Sequence, residues 1–315
     1  MTAQTTRDVL MVGLGTIATT HLHVLDQRAD VRVVAGVDPQ PSEQPFPVFA
    51  SVEAALAEAP EPDLVVVATP TDTHPALVQE VLRSTGALVL SEKPLARDLA
   101  TIRALEQAEP DLADRVKVAH HFAFSPEIEW ARSVAAAHPQ WGPPSHILSV
   151  FNDAYGGFSA ERRASYVSTW VDSGPNQLSL LGAFVGGWRL LDHDDRGDRS
   201  VTTLAHDGGT TVLTSNWLAA DSSKQTTIDY AGGARIRMDH TSMTGVVLEG
   251  GRVVEHHGYT GTAGRKEAHY LGLYDVLLRD PSDSRLGVPL ATDIAALLEA
   301  GELAAAATTI RWTDA

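Results

Sequence analysis

Val9-Leu10-Met11-Val12-Gly13-Leu14-Gly15-Thr16-Ile17-Ala18 decides the fold. Four apolar residues in a row read as a buried strand, the glycines as a tight turn, and Thr16 onward as a helix. In that context Gly13-x-Gly15-x-x-Ala18 is a dinucleotide fingerprint. Gly13 permits the turn, Gly15 lets a pyrophosphate approach the main chain, and Ala18 keeps helix and strand close. Thr16 and Ile17 fall in the first helical turn, whose free N–H groups and positive potential suit phosphate.

The same alternation continues outward. After a helix to about Gln27 come Val31–Val37, Leu64–Ala68, Ala87–Ser91 and Val116–His120 as strands, with helices near Thr73–Ser84 and Leu99–Gln107. Strands that are apolar throughout are buried on both faces, as in a parallel sheet covered by helices. The class is α/β: an N-terminal doubly wound Rossmann domain over residues 1–124. Past Ser125-Pro126 the pattern changes. A helix near 127–137 precedes strand-like runs at 146–151, 201–205, 210–217, 225–230, 234–239 and 252–256, with a helix at 176–191 inserted after the first. Helices near 266–279 and 289–306 close the chain. Residues 125–315 therefore predict an α+β domain with a mostly antiparallel open sheet.

Asp38 ends the second strand, 23 residues beyond Gly15. A carboxylate there accepts the ribose hydroxyls and repels the extra phosphate of NADP, and no Arg or Lys follows within ten residues. NAD is expected in preference to NADP. Thr69 and Pro70 follow the third strand, at the sheet edge where ligands bind; they are expected beside the nicotinamide ribose, with His74 touching the cofactor. Alternatively, Thr71, Asp72 or Thr73 caps the next helix.

Composition excludes several classes. The 315 residues carry a formal charge of −16, which opposes nucleic acid and anionic membrane surfaces. Without cysteine there is no disulfide, thiolate nucleophile or cysteine-based metal site. Met1–Asp8 lacks an apolar signal core, and no apolar stretch approaches the ~20 residues of a membrane span. A soluble cytoplasmic protein is expected. The neighbouring pairs His120-His121 and His256-His257 point to opposite sides of a strand, so no metal is expected. The run Asp192–Arg196 reads as a solvated loop.

Leu88-Val89-Leu90-Ser91-Glu92-Lys93-Pro94 places a lysine at the end of a buried strand. Burying an unpartnered ammonium costs several kcal/mol, and both desolvation and an oxidised nicotinamide nearby lower its pKa. Such a lysine can take a proton from a hydroxyl as hydride leaves the carbon. The plain alternative is a structural ion pair with Glu92 or another carboxylate.

Gly13–Ala18, Ala68-Thr69-Pro70 with His74, and Glu92-Lys93-Pro94 together resemble the glucose–fructose oxidoreductase/inositol dehydrogenase (Gfo/Idh/MocA) family. The resemblance covers nearly the whole chain and is strongest in the first 125 residues. It implies NAD(P), a sugar-like hydroxyl substrate, and an open sheet that mediates a homodimer or homotetramer. It places Glu92 and Lys93 beside the cofactor and makes Lys93 the catalytic lysine. The family's Asp-x-Gly-x-His-x-x-Asp motif stands here as Asp172-Ser173-Gly174-Pro175-Asn176-Gln177-Leu178-Ser179, with Asn176 for the usual His and Ser179 for the second Asp. Asn cannot take a proton at neutral pH. Asp-x-Gly-x-Asn is similar to the aldose 1-dehydrogenases acting on L-arabinose or D-galactose, which implies Lys93, Asp172 and Asn176 around the anomeric carbon. His121, with His120 as fallback, is similar to that subgroup's sugar-binding histidine. Phe151-Asn152-Asp153 aligns no clear acidic substrate contact. Trp170 and Tyr166 are expected either to stack on the sugar or to serve as core, and Asp172 and Asn176 could instead be helix caps. Hydride transfer between C1 of an aldose and nicotinamide is the leading expectation, with Lys93 accepting the proton and Asp172 orienting it, or alternatively Asp172 as base and Lys93 as a charged clamp. A keto-sugar reductase, whose nucleotide-linked substrate would call on Arg162, Arg163 or Arg265, and a non-catalytic NAD(H) sensor are the alternatives.

Overall fold

The computed structural model describes residues 6–40, 43–164 and 166–313. Its contacts divide the chain into two units: one runs to Ala119 and resumes at Tyr274–Ala295, the other comprises His120–Leu273 and the chain from Ala296. A single boundary at 124/125 does not anticipate that return.

In the first unit, β1 (Arg7–Val12), β2 (Val31–Val37), β3 (Val48–Phe49), β4 (Leu64–Val67), β5 (Leu88–Glu92) and β6 (Val116–Ala119) form one sheet in the order β3-β2-β1-β4-β5-β6. Every neighbouring pair is parallel. The helices are α1 (Thr16–Asp26), α2 (Val52–Glu58), α3 (His74–Ser84), α4 (Leu99–Ala108) and α5 (Leu112–Arg115). Leu64-Val65-Val66-Val67 is buried at every position, as a sheet covered on both faces requires. Strand order reverses between β1 and β4, which opens a crevice at their C-terminal ends. The turns after β1, β2 and β4 therefore bring Gly13, Asp38 and Thr69 to one edge. Val288, Ala291 and Ala295, from the returning segment, join Val65, Val67 and Val89 in the core. Gly287 forms an antiparallel bridge to Lys117 of β6.

The second unit holds α6 (Pro126–Ala137), β7 (Pro144–Ala154), α7 (Ala160–Ala164), α8 (Thr169–Leu181), and strands β8 (Arg189–Asp195), β9 (Arg199–His206), β10 (Gly209–Asn216), β11 (Leu218–Tyr230), β12 (Arg235–Asp239), β13 (Thr244–Glu249) and β14 (Arg252–Gly258). Helices α9 (Arg265–Arg279) and α10 (Val288–Thr313) follow, α9 passing into the first unit at Tyr274 and α10 rejoining the second at Ala296. Eight strands lie in the order β14-β13-β12-β11-β7-β10-β9-β8. Only β7 and β10 pair in parallel. Burial alternates along β9 and β10, so one face is covered and the other open. Ile147, Phe151, Leu213, Ile228 and Ile236 fill the covered face, with Leu178 and Leu181 of α8 among the same buried set.

Two expectations fail here. The helix placed at 176–191 begins at Thr169, capped by Ser168, whose Oγ accepts from the Val171 N–H, and ends at Leu181. Pro175 lies inside it and marks no start. The charged run at 192–196 is mostly edge strand β8, whose His193 is buried and Asp195 half-buried while Asp192 and Asp194 are exposed, charges that protect an open edge. Among the described residues no helix is long and apolar enough to cross a membrane.

Candidate functional site

Gly13 has φ +89°, and a Cβ on it would lie 2.6 Å from the Ala68 carbonyl oxygen, so the turn requires glycine. Gly15 differs. A Cβ there would meet nothing within 4 Å, so the protein's own packing does not demand glycine. Gly15 starts α1 with no side chain capping it, which leaves the N–H groups at Thr16 and Ile17 for an anion. Ala18 is fully buried against the strand layer. Asp38 accepts the Leu14 N–H at 2.9 Å and the Gln40 N–H at 2.8 Å. Each carboxylate oxygen keeps acceptor capacity for a hydroxyl. An open pocket of about 700 Å³ lined by Asp38, Pro39, Phe46 and Phe49 adjoins it.

At the end of β5, Glu92 is buried and its Oε1 lies 3.0 Å from His21 Nε2, whose Nδ1 is 2.7 Å from the Tyr274 hydroxyl. Glu92 Oε2 accepts the Lys93 main-chain N–H at 3.2 Å. The carboxylate thus ties the lysine segment to α1. His74 is likewise a tie between segments. It is buried, with Nδ1 2.9 Å from the Pro94 carbonyl and Nε2 2.8 Å from the Thr69 carbonyl. It clamps two turns together. Thr69 Oγ1 accepts from Thr73, and Pro70 is exposed just before the turn. Lys93 is half-buried, and among the described residues no carboxylate pairs with its ammonium.

The second unit contains its own cavity of about 220 Å³, lined by residues of α8, β7, β11, α9 and the turn after β6. Asp172 and Asn176 enter it from α8, one turn apart, with Asn176 Nδ2 donating to the Asp172 carbonyl at 3.4 Å. The phase of α8 is set by the next residue. Gln177 is fully buried and donates to the Ser149 and Thr214 carbonyls at 3.1 and 3.2 Å, while its Oε1 accepts from Ser215 at 2.9 Å. Ser179 donates to the Asn176 carbonyl at 2.9 Å, so the position of the second family carboxylate turns back onto its own helix.

Asp153 of β7 and Lys224 of β11 line the same cavity, with Oδ1 and Nζ 2.5 Å apart. Burial pushes the Lys224 ammonium below the usual lysine range, against the opposing pull of Asp153. Burial also pushes the Tyr155 phenol up, with Asp172 and Asp153 adding to the effect. His121 Nδ1 lies 3.2 Å from His269 Nδ1, so one ring donates and the other accepts. Burial drives the His269 pKa down to about 3, Arg265 and His240 adding to the shift and Glu127 opposing it.

Residues 7–120 match the family model GFO_IDH_MocA, the oxidoreductase family with an NAD-binding Rossmann fold. The match spans β1 to β6 of the first unit. The chain is 30% identical over 129 residues to the inositol 2-dehydrogenase of Rhizobium meliloti, a stretch that is 38% of this chain and 37% of that protein. Among solved structures it is similar to a dehydrogenase from Chromobacterium violaceum, with TM-score 0.78, 18% identity and 98% of each chain covered. It is also similar to GenD2 from gentamicin A biosynthesis, solved with NAD, with TM-score 0.75, 20% identity, and 96% and 95% covered. At those identities the structural likeness establishes the fold.

The cavity gathers Asp172, Asn176 and His121, while His120, Trp170 and Tyr166 lie outside its lining. His121 opens a short 3-10 turn instead of continuing a strand, and His120 is buried without lining the cavity. Trp170 is fully buried, donates to the Leu298 carbonyl at 3.2 Å, and packs on His193, in the manner of the core alternative. Tyr166 lies against Tyr155 and Trp217 and does not reach the lining. Arg265 does line it, while Arg163 is tied to the Gly156 and Phe158 carbonyls and Arg162 stacks on Phe158. Lys224 was not anticipated, although strand parity shows the signal. It shares a face with Thr226 and Ile228, and Asp153 shares one with Ile147 and Phe151. A charge on each covered face is the anomaly to look for.

Proposed function

We propose that the chain is an NAD-dependent oxidoreductase that moves hydride between C1 of an aldose and nicotinamide. Lys93 carries the reading: a lysine at the C-terminal end of a buried strand, its main chain held by Glu92, its ammonium paired with no carboxylate among the described residues. The nucleotide residues fit NAD, since Gly15 leaves the main chain open to approach and Asp38 keeps acceptor capacity for a ribose hydroxyl. When bound, NAD supplies the hydride acceptor. Lys93 takes the C1 hydroxyl proton, and the product is a lactone. Asp172 and Asn176 supply an acceptor and an amide for sugar hydroxyls, and His121 a further hydrogen-bonding group. Asn176 holds and does not titrate, which favours an aldose 1-dehydrogenase over an inositol dehydrogenase relying on the usual histidine. Arg265 in the cavity lining favours a second reading, a reductase acting on a phosphorylated or nucleotide-linked keto-sugar. A cytoplasmic homodimer or homotetramer built on the open sheet face completes the proposal, and solution scattering tests the assembly.

Near-ultraviolet absorbance with NAD or NADP and a panel of aldoses and cyclitols tests the reaction. Turnover of an aldose with NAD, abolished in Lys93→Ala, is the expected result. Activity on cyclitols alone overturns the anomeric-carbon chemistry, and tight NADH binding without turnover of any sugar moves the weight to the reductase or to a sensor.

A further inference from the structure

We propose that Lys224 and Asp153 form a substrate subsite that recognises a vicinal diol, two neighbouring hydroxyls of a polyhydroxy ligand away from the reacting carbon. The inference rests on the hydride-transfer reading for its context, and its geometry belongs to the second unit alone.

Both side chains sit on the covered face of the open sheet and are nearly buried, with Lys224 6% and Asp153 8% exposed. Their neighbours on that face are apolar Phe151, Ile147 and Ile228 together with Ser149 and Thr226, whose hydroxyls bond each other at 3.1 Å. A buried ion pair recovers little more than the cost of desolvating it, so apolar residues would hold β7 to β11 at least as well. The pair is not explained by stability, and it lines a cavity that also holds Asp172 and Asn176. Its hydrogen-bonding capacity is unspent. The ammonium has three N–H donors; one reaches Asp153 Oδ1 at 2.5 Å, and the cation lies 4.8 Å above the Phe151 ring. Among the described residues Lys224 Nζ bonds to no other group, and Asp153 Oδ2 accepts from none. A fixed donor beside a fixed acceptor suits two adjacent hydroxyls, one donating to the carboxylate and the other accepting from the ammonium. The lining sets Asp153 and Asp172 against Lys224, Arg265 and Lys266, so the fixed donor and acceptor, not a net charge, define the group recognised as a polyol.

The test measures KM and kcat of the full-length holoenzyme with L-arabinose, D-galactose and myo-inositol, and with single-deoxy analogues of whichever is turned over. Lys224→Met and Asp153→Asn are expected to raise KM about 10- to 100-fold, the loss of a charge-assisted hydrogen bond, with kcat within about threefold. One or two deoxy analogues should show that loss with wild type and no further loss with the variants, since both remove the same contact. Losses that add in full, a fall in kcat at unchanged KM, or unchanged KM in both variants overturn the proposal. Wild type alone decides if a variant misfolds: KM within twofold for every single-deoxy analogue overturns it. If no sugar is turned over, calorimetric binding of the same polyols separates the two ideas. Binding lost in both variants supports the subsite while the hydride reading fails, and absence of binding to wild type overturns both.

Discussion

The two sheets bind by different means. In the parallel sheet the strands are buried on both faces, so what they offer a ligand is main chain at their ends: the Gly13 turn, the bare approach at Gly15 and the uncapped start of α1. In the open sheet one face is covered by helices, and side chains projecting from it, Asp153 and Lys224, line a cavity with Asp172 and Asn176. Binding by main chain couples ligand affinity to the steric limits of the fold. Binding by side chains leaves specificity free to change under a constant backbone.

The largest effect should come from a side chain in the main-chain unit. Lys93→Ala is expected to lower kcat/KM about 10²- to 10⁴-fold with NADH affinity, followed by fluorescence titration, changed only a few-fold. Loss of NADH binding instead would break the division of labour. Next, Gly13→Ala should lower unfolding free energy by about 2–4 kcal/mol in urea titrations, because the new methyl meets the Ala68 carbonyl in a left-handed backbone. In the other unit, His269 gives a pH signature. Its folded pKa of about 3 lies below the ordinary 6.5, so the unfolded chain takes up the proton first. Stability is therefore full above pH 6.5 and is lost as pH falls from there toward 3, by about 2 kcal/mol at pH 5. His269→Gln should flatten that slope of the urea midpoint. The smallest stability change belongs to Gly15→Ala, about 0.5 kcal/mol or less, accompanied by a roughly tenfold loss of NADH affinity as the methyl meets the pyrophosphate. A stability loss equal to that of Gly13→Ala would erase the contrast between a glycine required by the fold and one kept for a ligand.

Most of the first unit was legible because an apolar run buried on both faces has no competing reading, and its strand limits fall within a residue or two of expectation. The cavity was half legible. Asp172, Asn176 and His121 meet there, but placing the helix at 176–191 left Trp170 and Asp172 outside it and lost the phase of α8. With the helix starting at Thr169, 100° per residue puts Trp170 about 200° from Asp172 and Asn176 only about 40° away. That phase alone separates the core tryptophan from the cavity pair. Edge strand β8 was missed for another reason: its charges alternate with Leu190 and His193 too irregularly, across a register shift, to show period two.

The return of Tyr274–Ala295 to the first unit bears on the order in which the molecule can be made. Tyr274 completes the hydrogen-bonded chain through His21 to Glu92, and Val288, Ala291 and Ala295 seal a core that otherwise comes from the first 119 residues. As the polypeptide leaves the ribosome, its opening domain must wait, unsealed, through the synthesis of more than 150 intervening residues. The nucleotide domain is begun first and finished near the end, so a chain cut short before Tyr274 lacks a finished cofactor domain as well as its tail.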